Sequence, residues 1–212
     1  MKKTSFFLLL ASLLLLASCR DIRKEYYPNG VLKQEIPYKN GKMNGLATWY
    51  FLNERKMMEC TYVNGNIEGK ITRWNVGGLI ESEDIYKNNL RNGKCISYYD
   101  NGKIFIEDEY VNDKLNGTHI ERHQNGLVKA KGHYKNGLYD GKWEYYDDRG
   151  IQVGEGNFVN GTGSLKGFYW NGRLKRIENF VDNKKEGDEI WYKENGEVEK
   201  VVKYKQDRIV VN

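Results

Sequence analysis

Three histidines are the residues whose type and spacing most readily suggest chemistry. His119, His123 and His133 lie at odd distances from Gly126, and this spacing predicts one face of adjoining strands for all three. Imidazoles grouped in this way could bind Zn²⁺ or Cu²⁺. No Cys or Asp completes a ligand set in the pattern, so we favour solvated histidines and expect no metal site.

A column of glutamates is the second candidate for chemistry. Its members recur at equivalent places in successive segments and are Glu35, Glu59, Glu83, Glu107 and Glu155. Equivalent positions on every second strand are about 10 Å apart, and no cleft is implied that would separate their pKa values. A solvated polar face explains them better than catalysis. The chain also lacks a Gly-x-Ser-x-Gly motif and a phosphate-binding glycine loop, so we expect neither an enzyme nor a cofactor.

Cys19 is the strongest single-residue candidate, because the segment before it reads as an export signal. Lys2 and Lys3 precede an apolar stretch from Phe6 to Leu16 that is short for a transmembrane helix. The ending Leu-Ala-Ser-Cys resembles a bacterial lipobox, in which the Cys thiol carries a diacylglycerol and the chain is cut before it. Residues 1–18 are therefore predicted to be a signal peptide, and residues 19–25 a lipidated N-terminus with a short tether. The alternative is an ordinary signal peptide with an incidental Cys.

Charge and composition narrow the location and the class of partner. Arg20 follows Cys19, and the absence of Asp there favours the outer membrane within the cell envelope. The net charge is +5 with no Lys/Arg block, so nucleic-acid binding is not expected. Cys60 and Cys95 are predicted to lie on strands three positions apart, roughly 14 Å, which is too far for a disulfide.

A repeating unit of 24 residues runs through the remaining chain. One turn residue marks each copy, and the copies step by 24 residues except for one step of 22. These turn positions are Gly30, Glu54, Gly78, Gly102, Gly126, Gly150, Gly172 and Gly196. Residues at position −4 from the turn are Tyr26, Tyr50, Trp74, Tyr98, Arg122, Tyr146, Phe168 and Tyr192. Residues at position +8 are Tyr38, Tyr62, Tyr86, Tyr110, Tyr134, Phe158, Phe180 and Tyr204.

The repeat predicts two strands and two turns in each unit. The extended run Leu127–Tyr134 is bounded by two Asn-Gly pairs, which are strong hairpin signals because both residues accept positive φ. Positions +2 and +8 are predicted to share a buried face, and the odd positions, with the Glu column, to face solvent. We therefore predict an all-β, elongated, solenoid-like meander of β-hairpins over residues 26–212, built from about eight units.

The Tyr-Tyr-x-x-Gly and Tyr-x-Asn-Gly-x-x-x-Gly blocks resemble the bacterial MORN-repeat variant family over residues 26 to about 207. The resemblance implies an elongated array of β-hairpins. Many bacterial members are labelled antitoxins of the YwqK type, and related eukaryotic repeats are associated with membrane lipids and scaffolding. An antitoxin or immunity-type role is thus one implied alternative, although an export signal does not suit a cytoplasmic antitoxin.

A binding scaffold is the function that these features favour. We expect an unidentified protein partner to bind along an aromatic stripe, and the lipid on Cys19 to bind the membrane. The candidate interaction surface comprises Trp74, Tyr98, Tyr146 and Tyr192, with the glutamates on the opposite face. Carbohydrate or choline-like binding is an alternative, because residues 141–146 resemble the Gly-x-Trp-x-Tyr-Tyr pattern of choline-binding repeats. A metal-dependent enzyme that uses the histidines is the last alternative.

Overall fold

A computed structural model describes residues 21–210, which form one antiparallel sheet of 19 strands and contain no helix. The all-β meander of hairpins predicted from the sequence is confirmed. The strands are β1 (Asp21–Tyr26), β2 (Leu32–Lys39), β3 (Lys42–Met43), β4 (Gly45–Tyr50), β5 (Lys56–Val63), β6 (Asn66–Trp74), β7 (Ile80–Lys87), β8 (Leu90–Tyr98), β9 (Ile104–Val111), β10 (Lys114–Arg122), β11 (Val128–Lys135), β12 (Leu138–Tyr146), β13 (Gln152–Val159), β14 (Thr162–Phe168), β15 (Leu174–Val181), β16 (Lys184–Lys185), β17 (Gly187–Tyr192), β18 (Val198–Lys205) and β19 (Arg208–Ile209).

Strands that follow one another along the chain pair antiparallel, as short hairpin connections require, except that β2 pairs with both β3 and β4 and β15 with both β16 and β17. The array begins earlier than the sequence predicts, because Asp21–Tyr26 pairs with β2 from Asp21 opposite Tyr38 to Tyr26 opposite Leu32. Residues 21–25 therefore lie in a strand and not in a tether. They occupy positions −9 to −5 of the first unit, which belong to the first strand of each first-turn hairpin.

The two turns of a unit have different conformations. At the turn after β11, Asn136 and Gly137 have φ of 53° and 86°, so both adopt the left-handed region that suits a two-residue hairpin. At the turn before β11 only Gly126 has positive φ, at 97°, and its N–H donates to the His123 carbonyl. The Asn125 side chain accepts a hydrogen bond from the Leu127 N–H in that turn. The prediction that both residues of an Asn-Gly pair have positive φ is thus correct for the second turn only.

A β-bulge beside the first turn reverses which residues share a face. In the β10–β11 hairpin Glu121 lies opposite Ala130, but Arg122 lies opposite Val128, so Lys129 is an extra residue. The same shift occurs between β4 and β5, β6 and β7, and β8 and β9. Positions +2 and +8 therefore lie on opposite faces, and the prediction that they share one is wrong. We call the face with the +8 aromatics face A and the face with the Glu column face B.

Face A carries the more buried rows of the sheet. After Tyr38, which lies opposite Asp21, each +8 ring lies opposite a glycine of the preceding strand, as Tyr134 does opposite Gly117. The adjacent row, formed by position +6 and its cross-strand partners at −7, includes the buried residues Ile36, Ala47, Cys60, Ile71 and Cys95. Trp143, in the same row, is 2% exposed. The core of this sheet is therefore a set of parallel rows on one face.

The step of 22 residues reflects a missing irregularity in one hairpin. Most second-turn hairpins change register by two residues before their glycine, as β9 and β10 do between Leu115 and His119. The β13–β14 pair keeps one register from Gly154 opposite Gly167 to Val159 opposite Thr162. The two residues absent from this unit are thus the two that form the bulge elsewhere.

Candidate interaction surface

The aromatic residues predicted as an interaction surface lie on face B, together with the glutamates. Position −4 pairs with position +2 across the first turn, as Tyr98 does with Ile104 and Trp74 with Ile80. The prediction that Glu83 and Glu107 occupy the opposite face from these rings is therefore wrong. The bulge opposite positions −5 and −4 is the physical cause. Its extra residue shifts the alternation of side chains between the two faces by one residue on the second strand.

Hydrogen bonds hold several of these rings beside the glutamates. The Tyr98 hydroxyl donates to Glu83 Oε2 at 2.9 Å, and the Tyr50 hydroxyl donates to Glu35 Oε1 at 3.1 Å. At the unit where the aromatic column is interrupted, Arg122 Nη2 donates to Glu107 Oε1 at 2.9 Å. The guanidinium thus replaces the phenol as the donor to the same carboxylate position. Position −4 and the Glu column form one connected surface.

Lysines complete this surface. Lys70 Nζ lies 2.6 Å from Glu83, and the ammonium of Lys94 lies 2.5 Å from Glu107. Lys131 Nζ lies 5.6 Å from the centroid of the Tyr146 ring. These cation–aromatic and ionic contacts occur on side chains that are half-buried or exposed, so they orient the rings more than they stabilise the fold.

The electrostatic environment keeps the glutamates ionised and the phenols neutral. The hydrogen bond from Lys70 is the main cause that lowers the pKa of Glu83, and the bond from Lys94 does the same for Glu107. Burial, followed by the bond to Glu83, raises the pKa of Tyr98 to about 12. At neutral pH the surface therefore presents carboxylates that accept and phenols that donate.

Two open grooves of similar construction lie on face B near the ends of the sheet. One, of about 530 Å³, is lined by Tyr26, Asn29, Gly30, Val31, Leu32, Tyr50 and Glu54. The other, of about 360 Å³, is lined by Arg173, Leu174, Tyr192, Glu194, Asn195 and Gly196. Each combines a position −4 tyrosine, a position +2 leucine, an asparagine and a carboxylate. The apolar column at position +2 is visible in the sequence, but simple alternation without the bulge predicts the buried face for these leucines.

The histidines do not share one face. His119 lies opposite Gly132, and Thr118 lies opposite His133, so the side chains of His119 and His133 point to opposite sides of the sheet. His119 Nδ1 is 2.6 Å from Asp108 Oδ1, whereas His123 Nε2 is 2.9 Å from the Tyr146 carbonyl oxygen. Asp108 is thus a neighbour of His119 that the sequence pattern does not indicate. Among residues 21–210, no three His, Cys, Asp or Glu side chains form a group that could hold a metal ion.

A polar cluster at the centre of face A was not anticipated from the sequence. Arg73 Nη1 lies 2.5 Å from Asp84 Oδ2, in the row that continues through Cys95 to Asp108 and His119. A shallow cavity of about 180 Å³ opens beside Cys95 and Asp108. Burial raises the pKa of the Cys95 thiol to about 11, so the thiol is poorly suited to act as a nucleophile. No sequence motif marks this cluster, because it exists only in the correct strand register.

Cys60 and Cys95 are free, as predicted, and both are buried. Burial also raises the pKa of the Cys60 thiol. Cys19 and the export signal lie outside the described residues. Within residues 21–210, no helix is long and apolar enough to cross a bilayer.

Comparison with known families supports the repeat assignment. Three segments match the MORN repeat variant family model. They are residues 22–40, 91–112 and 185–206, and each contains one first-turn hairpin in the same phase of the 24-residue unit. A comparison with curated proteins gave no match. The matched segments thus coincide with three of the eight hairpins that carry the −4 and +2 residues of face B.

Proposed function

We propose that this protein is an exported, lipid-anchored repeat scaffold that binds another protein at the cell envelope through face B. The observation that carries the proposal is the row of position −4 residues, whose rings are half-exposed along several units. Half-exposed Tyr and Trp beside charged side chains are typical of protein interfaces, because they bury much area at a low entropic cost. A row of this kind suits a partner that contacts several units.

The anchor is the second part of the proposal. The Leu-Ala-Ser-Cys motif supplies the candidate acylation site at Cys19, and β1 begins two residues later at Asp21. A sheet attached in this way starts next to the bilayer surface. Arg20 in place of Asp favours the outer membrane.

Mass spectrometry of the mature N-terminus tests the anchor. We expect a chain that begins at acylated Cys19 and fractionates with membranes, and a Cys19→Ser variant that does not. An unmodified Cys19, or a variant that remains with the lipid fraction, would contradict this part of the proposal.

Photo-crosslinking in intact cells tests the partner. A crosslinking amino acid placed at Tyr98, on face B, is expected to capture a discrete protein, whereas the same amino acid at Ser97, on face A, is the matched control. Tyr98 and Ser97 are neighbours on β8, so they differ in face but not in unit. Equal capture from both positions, or from neither, would argue against binding through face B.

A further inference from the structure

The grooves of face B alternate in composition along the array. We define a groove by the +2 residue of one unit, the −4 residue of the next unit and the turn of that next unit. Four grooves contain an aliphatic residue, a tyrosine and an exposed acid. They are Leu32–Tyr50–Glu54, Ile80–Tyr98–Asp100, Val128–Tyr146–Asp148 and Leu174–Tyr192–Glu194.

The three intervening grooves lack this combination. They contain Lys56 with Trp74, Ile104 with Arg122, and Gln152 with Phe168, and their turns carry no acid. The combination of an aliphatic residue, a tyrosine and an acid therefore repeats every second unit, although the backbone conformation repeats every unit. Packing of the sheet does not require such alternation, since both kinds of groove occupy the same positions in the fold.

We propose that the four tyrosine grooves bind an extended, proline-rich segment of the partner protein that carries Arg or Lys. The inference rests on the proposed function and specifies its partner. Proline and aliphatic side chains fit between a tyrosine ring and an aliphatic neighbour, which is how aromatic-lined grooves recognise polyproline II segments. Glu54 is the charged residue among those that line the first end groove, and its exposed carboxylate complements a guanidinium or ammonium group on the ligand. In the other end groove Glu194 stands beside Arg173, whose Nη1 donates to the Glu194 carbonyl oxygen and leaves the carboxylate for the ligand.

The direction of the grooves favours polyproline II over a β-strand. The grooves follow one another across the strands, so a ligand that visits several of them runs roughly perpendicular to β-strands such as β8. In this orientation the ligand cannot add to the hydrogen-bond ladder of the sheet. A polyproline II backbone has no internal ladder and remains solvated, so it loses little by binding through side chains alone.

Groove spacing sets the length of ligand that can reach two grooves. Neighbouring tyrosine grooves are four strands apart, about 19 Å along a flat sheet. Six residues of polyproline II span about 18.6 Å, and the twist of a sheet lengthens the path. A peptide of six residues therefore occupies one groove, whereas a peptide of 12 or more reaches a second and gains avidity without any new kind of contact.

Fluorescence anisotropy with labelled synthetic peptides tests the proposal on the purified mature lipoprotein. The probes are Pro-Pro-Arg repeats of 6, 12 and 18 residues, with Gly-Ser-Arg and Pro-Pro-Glu repeats of equal length as controls. We expect the 12-residue Pro-Pro-Arg peptide to bind about tenfold or more tightly than either control and than the 6-residue peptide. Equal binding of the Gly-Ser-Arg peptide would show simple charge attraction and overturn the proposal, as would no binding of any peptide.

Paired variants assign the binding to the tyrosine grooves. We expect the double variant Tyr98→Ala and Tyr146→Ala to weaken binding of the 12-residue Pro-Pro-Arg peptide about tenfold or more. The double variant Asp100→Asn and Asp148→Asn is expected to weaken the same binding by a smaller factor. Trp74→Ala with Phe168→Ala removes rings from the same −4 position in intervening grooves, and we expect this pair to weaken binding of the peptide less than the tyrosine pair does. Equal losses from the two aromatic pairs would overturn the alternation. Tyr98→Phe with Tyr146→Phe keeps the rings and is expected to retain binding, which separates ring contact from loss of folding.

The crosslinking experiment separates this inference from the proposed function. Capture of a protein from Tyr98 together with no peptide binding would overturn only the proline-rich ligand. Peptide binding that depends on the tyrosine grooves supports the inference directly. The absence of both peptide binding and capture would overturn both.

Discussion

Trp143 is the residue on which the aromatic contacts of face A converge. Its ring centroid lies 4.6 Å from that of Tyr139, 4.9 Å from that of Tyr134 and 5.3 Å from that of His119. Its Nε1–H donates to the His133 carbonyl oxygen at 3.2 Å. Gly132 lies beside it, where a Cβ atom would occupy the space of the indole, and Gly156 lies opposite it, where a Cβ atom would meet the ring of Phe158.

Trp143→Ala is expected to be among the most destabilising single substitutions in the sheet. The change removes a nearly fully buried ring between two glycines that cannot fill the space, so we expect a loss of about 3–5 kcal/mol. Urea unfolding followed by circular dichroism measures it. Trp143→Phe is the matched control and should lose less; a loss below about 1 kcal/mol for Trp143→Ala would contradict this packing.

Glu144 on face B should make stability depend on acid. Hydrogen bonds from Lys131 and then Lys142 lower the pKa of Glu144 from 4.5 to about 2. A carboxyl group whose folded pKa is depressed stabilises the fold above its unfolded pKa, and this contribution disappears as the pH falls through the folded pKa. Glu144→Gln should therefore be less stable than the wild type at pH 6, and the two should converge near pH 2. A constant difference in unfolding free energy over that range would refute the assignment.

At the scale of strands and turns, the sequence specified the repeat more completely than it specified the faces. The positions of Gly126 and Asn136-Gly137 predicted the hairpins correctly, because turn conformations select these residues strongly. The bulge at Lys129 left no comparable signal: the extra residue is an ordinary lysine, and it fits inside the constant 24-residue period. The face of His119 relative to His133 depends on that bulge, and the face of Tyr98 relative to Glu107 depends on the equivalent bulge at Phe105, so simple alternation predicts both faces wrongly.

Strand position also determines how much a +8 ring contributes. Tyr110 on β9 lies between β8 and β10, opposite Gly93 and Leu115, with the Arg91 guanidinium 4.0 Å from its ring centroid. Tyr204 on β18 has β17 on one side and only the two-residue β19 on the other.

Tyr110→Ala should therefore lower the unfolding midpoint more than Tyr204→Ala does. Interior units of a repeat array have two neighbours, and loss of packing there weakens both interfaces. Chemical unfolding of the two variants under identical conditions gives the comparison. Equal shifts in midpoint would be incompatible with stability that is shared between neighbouring units.

At the largest scale, residues 21–210 form a single sheet without a second layer, which implies that protection of the backbone amides varies along the array. All six residues of β1 are exposed, and β18 is largely exposed as well. β8 and β9 have paired strands on both sides and contain Cys95, which is 6% exposed.

Hydrogen exchange should report this gradient. Backbone amides of β1 are expected to exchange faster than those of β8 under native conditions, because terminal units open without disrupting the rest of a quasi-linear array. Mass spectrometry of peptides from the intact protein measures the rates. Uniform exchange along the chain would indicate a single cooperative unit instead.

The regular hairpin β13–β14 helps to set the register in which the strands pair during folding. Near-identical units invite a slip in which a strand pairs with the equivalent strand of a neighbouring copy, since local turn and side-chain patterns would match. A slip by one whole unit would bring the bulge-free hairpin against sequence built for a bulge, two residues out of step. The shortened unit therefore destabilises slipped pairings that include it. We expect folding intermediates with such a slip to be short-lived.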